Sequence, residues 1–336
     1  MALTMTQGHL LMDGKNLNDL AEQHGTPLYV TSQQTLINAA LSVKQALAGS
    51  TPCLVCYAVK ANPTLAILQT FAVQGLGADV TSGGELFRAL KAGIPPDRIV
   101  FSGVGKSITE LREAITAGIL AIQIEVEQEI DSLSKLADEM EASIPIALRV
   151  NPQVDAKTHP HITTGLAENK FGLPLERLPD LAAAIRTNPR LRLIGLSGHI
   201  GSQVTSLEPF RQCADQIAGL ARQLLADGAP LEYVNYGGGL GVKYQDEQPP
   251  TFSEWGSVLR AAHADLPVRL LVEPGRSLVA EASLLLTRVT GIKVMGKKTF
   301  VIVDAGLNDL IRPALYGAYH PVFHILQREG AVETAV

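Results

Sequence analysis

The sequence predicts an α/β fold: a closed (β/α)8 (TIM) barrel with a second, β-rich domain formed from both chain ends. Three observations carry this expectation. From about residue 52, short apolar runs alternate with amphipathic stretches; eight such runs fit before residue 280; and titratable residues or glycines follow them.

The strand candidates are Leu54–Val59, Gly77–Val80, Arg98–Ser102, Leu120–Ile124, Pro145–Val150, Leu193–His199, Leu231–Tyr236 and Val268–Glu273. Helical spacing marks Leu65–Gln74, Gly84–Ala92, Ile108–Ala117, Glu127–Glu141, Glu176–Arg186, Leu207–Ala226 and Ser253–Ala264, as in Leu111, Ile115 and Ile119. Alternation of this kind means parallel strands joined by crossover helices. The barrel is expected over residues 31–280. Residues 1–30 and 281–336 form the second domain, from the strand-like Pro27–Val30, Ser283–Thr290 and Thr299–Val303, and it is expected to be incomplete at the C-terminus.

Composition narrows the function. The chain has 336 residues, 46% hydrophobic and 18% charged, with a net charge of −5. Neither the balance nor any basic run suits nucleic acid. Three cysteines, Cys53, Cys56 and Cys213, point to a reducing compartment rather than a disulfide framework. Cys53 and Cys56 have C-x-x-C spacing, but on a strand that offset faces opposite sides, and no second pair completes a metal site. They read as buried strand cysteines, and no metal is expected. The N-terminus lacks a signal-peptide pattern, and no apolar stretch reaches the ~18 residues of a membrane span. A soluble, cytoplasmic protein is expected.

Barrel enzymes build their sites at the C-terminal strand ends. In order, those positions hold Lys60, Asp79, Ser102-Gly103, Glu125, Arg149, His199, Gly237-Gly238-Gly239 and Glu273. Burial would lower the pKa of Lys60 and make its amine a nucleophile for a carbonyl; the plain alternative is a lysine turned out to solvent. The glycines let backbone N–H groups approach a phosphate, and loops after the seventh and eighth strands often do so. Their spacing is not that of a dinucleotide fold, and Gly105-Lys-Ser107 has Val100 where a phosphate loop needs its first glycine. Glu273 could accept from a protonated pyridine nitrogen and Arg276 could fork onto a carboxylate, or the two could form a local ion pair. His199, flanked by glycines, suits a ring face or acid/base work, and equally a satisfied core. Ser202 could donate to a phosphate. Asp79 and Arg149 could partner these groups or pair structurally.

Several segments together are specific: Tyr57-Ala-Val-Lys-Ala-Asn62, Ala78-Asp-Val-Thr-Ser-Gly-Gly-Glu85, Lys157-Thr-His-Pro160 leading to Thr164–Gly172, Gly198-His-Ile-Gly-Ser-Gln203, Glu273-Pro-Gly-Arg276 and Asp304–Tyr316. They resemble the alanine-racemase-like, fold-type III family of pyridoxal 5'-phosphate (PLP) enzymes, most closely its diaminopimelate decarboxylase branch, over nearly the whole chain. The resemblance implies that Lys60 holds PLP as a Schiff base and His199 stacks on its ring. It implies that Ser202, Gly237, Gly238, Gly239, Gly275 and Arg276 hold the phosphate and that Glu273 pairs with the pyridine nitrogen, with Asp79 and Arg149 in the same cofactor site. Arg276, Arg312 and Tyr316 would bind the distal carboxylate of meso-diaminopimelate. The implied reaction releases CO2 and gives L-lysine, in a homodimer whose active site is shared across the interface.

Decarboxylases of ornithine, arginine or carboxynorspermidine share the barrel and the lysine, but the Thr-His-Pro and Asn-Asp-Leu-Ile-Arg-Pro segments argue against them. A non-catalytic PLP-binding protein is the alternative of another class. Lys60, His199, Glu273 and Arg276 standing together argue against it. In the family a later Cys-Glu motif and a further tyrosine complete the site. Nothing after Tyr316 matches them, and Cys213 lies in a helical stretch. The chain therefore reads as truncated, which puts its activity alone in question. Gln153 stands where the family has an acidic residue.

Overall fold

A computed structural model describes residues 3–49, 51–155 and 170–326. The chain separates into two compact units, residues 36–242 with 248–279, and residues 1–35 with 243–247 and 280–336.

The larger unit is a closed, all-parallel barrel of eight strands: β1 (Cys53–Ala58), β2 (Gly77–Val80), β3 (Ile99–Phe101), β4 (Ala121–Ile124), β5 (Ile144–Val150), β6 (Leu191–Gly198), β7 (Tyr233–Asn235) and β8 (Arg269–Val272). Each strand pairs with the next in sequence, and β8 closes on β1 with Leu270 opposite Cys53 and Val272 opposite Val55. The barrel helices are α1 (Gln33–Leu47), α2 (Leu65–Val73), α3 (Gly83–Lys91), α4 (Ile108–Ala117), α5 (Gln128–Glu139), α6 (Leu178–Arg186), α7 (Glu208–Ala226) and α8 (Phe252–His263).

Local chemistry sets the helix starts. Ser82 caps α3, and Ser107 with Glu110 and Thr251 with Glu254 form capping boxes on α4 and α8. Glu110 also accepts from the Gly83 amide at 2.8 Å, which ties the start of α4 to the start of α3. All eight expected strands and seven expected helices are present, α4 with the expected ends. Helix α1 is an addition to the expected set. Its buried Leu36, Ala40, Val43 and Leu47 have helical spacing, but it precedes the first strand and lies outside the alternation. It packs closely on α8, where a Cβ on Gly256 would lie 2.5 Å from the Ala46 carbonyl oxygen.

Side chains fill the barrel interior. Leu54, Cys56, Val100, Ala121, Ala147, Ile194, Tyr233 and Leu271 form one apolar cluster. Cys56 is buried in this cluster, whereas Cys53 is only half-buried, a partial correction to the expectation of two buried cysteines. Gly195 makes room for the largest side chain of the cluster: a Cβ there would lie 2.4 Å from the Tyr233 ring.

The smaller unit is built from both chain ends. Leu3–Thr6, His9–Met12 and Lys15–Asn16 form one antiparallel sheet, Leu28–Thr31 pairs with Ser283–Leu286, and Val289–Met295 forms a hairpin with Lys298–Val303. Leu10, Met12, Leu17, Ala21 and Leu286 are its buried centre. The single strand expected over Ser283–Thr290 is two, because the Thr287 hydroxyl and the Arg288 amide both turn to Asp304 at 2.6 and 2.9 Å. Among the described residues no helix is long and apolar enough to cross a membrane.

Two substitutions test the interior packing. Gly195→Ala should cost about 1–3 kcal/mol in urea unfolding, because the Tyr233 ring has nowhere to retreat. Tyr233→Phe should be neutral or stabilising by about 1 kcal/mol, since the Tyr233 hydroxyl is buried with no hydrogen-bond partner among the described residues.

Candidate active site

A two-residue period carries the barrel strands from apolar interior to polar site. Val100, Ala121, Ala147, Tyr233 and Leu271 lie in the apolar cluster. Two residues further along the same strands, on the same face, come Ser102, Gln123, Arg149, Asn235 and Glu273, all buried. Asp79 stands likewise two residues after Gly77, where a Cβ would strike the Arg98 carbonyl oxygen at 2.1 Å.

Lys60 sits on the short helical turn Val59–Ala61 that ends β1. Its Nζ lies 2.9 Å from Asp79 Oδ2, and Ser102 Oγ donates to Asp79 Oδ1 at 2.5 Å. The amine is therefore held by the site and not turned away from it, although 52% of the side chain is accessible. The expected fall in its pKa does not occur. Burial is the largest single effect and depresses it, but the nearby charges of Asp79 and Glu273 outweigh burial and hold the ammonium above its ordinary range.

Glu273, just past β8, is the hub of a buried network. Its Oε1 accepts from Gln123 Nε2 at 2.5 Å and from Asn235 Nδ2 at 2.6 Å, and Ser197 Oγ donates to Gln123 Oε1 at 2.6 Å. Burial, reinforced by Asp79, pushes its pKa up to about 7 against the opposing pull of Lys60, Arg149 and the Asn235 hydrogen bond.

The glycine loop Gly237–Gly239 threads between the ends of β6 and β8. A Cβ on Gly237 would lie 2.6 Å from the Gly198 carbonyl oxygen, one on Gly238 2.0 Å from that of Glu273, and one on Gly239 2.3 Å from that of Gly201. Gly237 and Gly239 also have positive φ, so no other residue type fits this path. His199 Nδ1 accepts from the Gly238 amide at 3.2 Å, which places the imidazole proton on Nε2. Burial, with Arg149 and Lys60 nearby, holds His199 well below its ordinary pKa and so neutral. Ser202 Oγ and Arg276 Nε are 3.3 Å apart, and Gly275 packs against Ala58, where its Cβ would lie 3.1 Å from that of Ala58.

Arg149 forms a buried pair with Glu125 at 2.8 Å, and Glu125 also accepts from the Gly103 amide at 2.5 Å. Behind it, buried Lys106 pairs with Glu129 at 2.6 Å, and Glu129 Oε2 accepts from the Glu125 amide at 2.8 Å.

The pyridoxal-binding domain model of the pyridoxal-dependent decarboxylases matches residues 33–280. The chain belongs to this family. It is 44% identical over 330 residues to diaminopimelate decarboxylase of Vibrio cholerae, covering 97% of this chain and 78% of that protein. Among solved structures, it resembles diaminopimelate decarboxylase from Helicobacter pylori complexed with L-lysine, with TM-score 0.88 and 40% identity over 91% of this chain and 77% of that one. It also resembles diaminopimelate decarboxylase from M. jannaschii in co-complex with L-lysine, with TM-score 0.90 and 36% identity over 95% of this chain and 77% of that one.

The residues present fit the cofactor of this decarboxylase family. The glycine loop is a cradle that any Cβ would fill, a primary amine lies beside a carboxylate, and Glu273 Oε1 takes both amide donors while Oε2 has no hydrogen-bond partner among the described residues. Not every loop amide is available to a phosphate, because those of Gly237 and Gly238 are already bound to Asn235 and His199.

The barrel unit thus brings together Lys60, Asp79, Arg149, His199, Ser202, Gly237, Gly238, Gly239, Glu273, Gly275 and Arg276. Arg312 and Tyr316 lie on the short helix Arg312–Tyr316 of the other unit. There the Arg312 guanidinium stacks 4.7 Å from the Tyr244 ring centre and its Nη1 lies 3.2 Å from His320 Nε2. Lys157–Pro160 and Thr164–Asn169 lie outside the described residues. Gln123, Ser197 and Asn235 are site residues that the sequence reading missed, though each is a polar residue at an inward position in an apolar run.

The raised Glu273 pKa makes a signed prediction. A carboxyl whose folded pKa exceeds its unfolded value of about 4.5 costs stability progressively as pH rises from about 4.5 through 7. Glu273→Gln should therefore stabilise the cofactor-free protein by ~1–3 kcal/mol at pH 8 and by much less at pH 5, read by thermal unfolding across that range.

Proposed function

We propose that this chain catalyses the PLP-dependent decarboxylation of meso-2,6-diaminopimelate to L-lysine and CO2. The observation that carries the proposal is the Lys60–Asp79 pair facing the same barrel end as buried Glu273, in a chain 44% identical to a diaminopimelate decarboxylase. A homodimer in the cytoplasm, with an active site shared between subunits, belongs to this reading and is supported by the family resemblance.

Lys60 would bind the cofactor covalently, Gly239, Ser202, Gly275 and Arg276 its phosphate, and Glu273 its ring nitrogen. Bound there, PLP supplies an electron sink for the pair released when the Cα–carboxylate bond breaks. Asp79 Oδ2 is positioned to take the proton that Lys60 Nζ must lose to bond a carbonyl carbon, and to return it on release. The Ser102 bond keeps Asp79 aimed. Glu273, with a pKa near 7, can share a proton through Oε2 while Gln123 and Asn235 immobilise Oε1. Neutral His199 can lie against a ring without adding charge. Arg276 would hold the carboxylate that is not lost, a role the family resemblance also gives Arg312 and Tyr316, which selects a substrate with a second, distant carboxylate over a diamino acid with only one.

Three measurements test this. Purified protein given PLP and meso-diaminopimelate should release lysine and CO2 in equal amounts, and no lysine from a PLP-loaded protein would refute the activity. Borohydride should fix the cofactor to wild type but not to Lys60→Ala, read as a mass increment on the peptide holding residue 60. Arg312→Ala should raise KM for diaminopimelate at least tenfold, about 1.4 kcal/mol, while PLP affinity changes less than twofold.

A further inference from the structure

Besides steadying Glu273 Oε1, Asn235 touches a second part of the cofactor site. It is fully buried at the end of β7. Its Nδ2 donates to Glu273 Oε1 at 2.6 Å, and its Oδ1 accepts from the Gly237 amide at 2.8 Å. A carboxamide offers a donor at one end and an acceptor at the other, and here the partners are a carboxylate and an N–H, so only one orientation satisfies both. Gly237 lies at φ +67°, a conformation open to glycine. Asn235 holds its amide, and its carbonyl accepts from the Glu273 amide at 2.8 Å, so the backbone fixes where the loop meets Glu273 and Asn235 adds the tie to the Glu273 carboxylate. With the Gly237 amide bound to Asn235 and the Gly238 amide to His199, the Gly239 amide is the one of the three left uncommitted among the described residues.

We propose that Asn235 is a positioning residue for PLP: it latches the glycine loop to Glu273, so that the phosphate seat and the ring-nitrogen partner keep one fixed spacing. The inference rests on the reading of Glu273 and the glycine loop given above. Asn235 touches neither substrate nor reacting atoms; it acts through the groups at its two ends. An aspartate of the same shape would keep the acceptor for Gly237 but set a second carboxylate oxygen against Glu273 Oε1. A leucine would release both ends.

The test uses PLP-loaded wild type, Asn235→Asp and Asn235→Leu, with release of PLP followed by absorbance after dilution into a cofactor trap. Binding of pyridoxal and of inorganic phosphate to the cofactor-free proteins is measured in parallel, because these probes report the ring end and the phosphate end separately. Both variants should release PLP at least tenfold faster. Asn235→Asp should weaken pyridoxal more than phosphate, and Asn235→Leu should weaken both. In a Glu273→Gln background the Asn235→Asp effect should shrink to less than a third, because the opposed carboxylate is gone. Release within twofold of wild type in folded Asn235→Asp, or an effect undiminished by Glu273→Gln, overturns the proposal. If Asn235→Leu does not fold, the isosteric Asn235→Asp decides alone. Should Glu273→Gln by itself leave pyridoxal affinity unchanged, the assignment of Glu273 fails, and the latch fails with it.

Discussion

The parallel pairing of β8 with β1 is the constraint on which the site depends. Lys60 and Glu273 stand near opposite ends of the barrel sequence, and only closure makes their strands neighbours. The junction is tight beyond the strands themselves, since the Ala58 amide donates to the Pro274 carbonyl at 3.1 Å and Gly275 packs on Ala58. Parallel strands also point all their C-terminal ends the same way, so one period of two residues supplies the apolar plug first and the polar ring after it.

That ring is a balance of charges in a low-dielectric setting. Asp79, Glu125 and Glu273 face Lys60 and Arg149, and the sums differ from group to group. Lys60 gains more from two acids than burial takes away. Glu273 gains less from the cations than burial and Asp79 cost it, so its proton is held loosely near neutrality. His199, beside two cations and buried, stays neutral. A lysine that keeps its proton beside the carboxylate placed to take it, an acid able to share one and an uncharged ring-stacking surface thus follow from one electrostatic arrangement.

Much of this is legible in the sequence. The strands read as apolar runs, and the residues just past them, Lys60, His199, the three glycines and Glu273, stand out because polar or special residues there break the run. The sign of the Lys60 shift is not legible, because it depends on how close Asp79 and Glu273 come, which only the register fixes. Gln123, Ser197 and Asn235 are hidden inside the strands, where one polar residue in an apolar run looks like noise until closure turns it inward. Helix α1 escapes notice because the alternation of strand and helix begins only with the first strand. The break at Thr287 is hidden because it needs Asp304, distant in sequence.

The glycine loop's path between the ends of β6 and β8 has a bearing on protein turnover. Its seat is walled by the carbonyls of Gly198, Gly201 and Glu273, so a partly assembled barrel has no seat to offer. A ligand that recognises only the finished state stabilises it by mass action and leaves unfolded chains untouched. A chain loaded with its cofactor would then spend less time in the vulnerable, open form than a cofactor-free one, and so be cleared more slowly by proteases that attack that form.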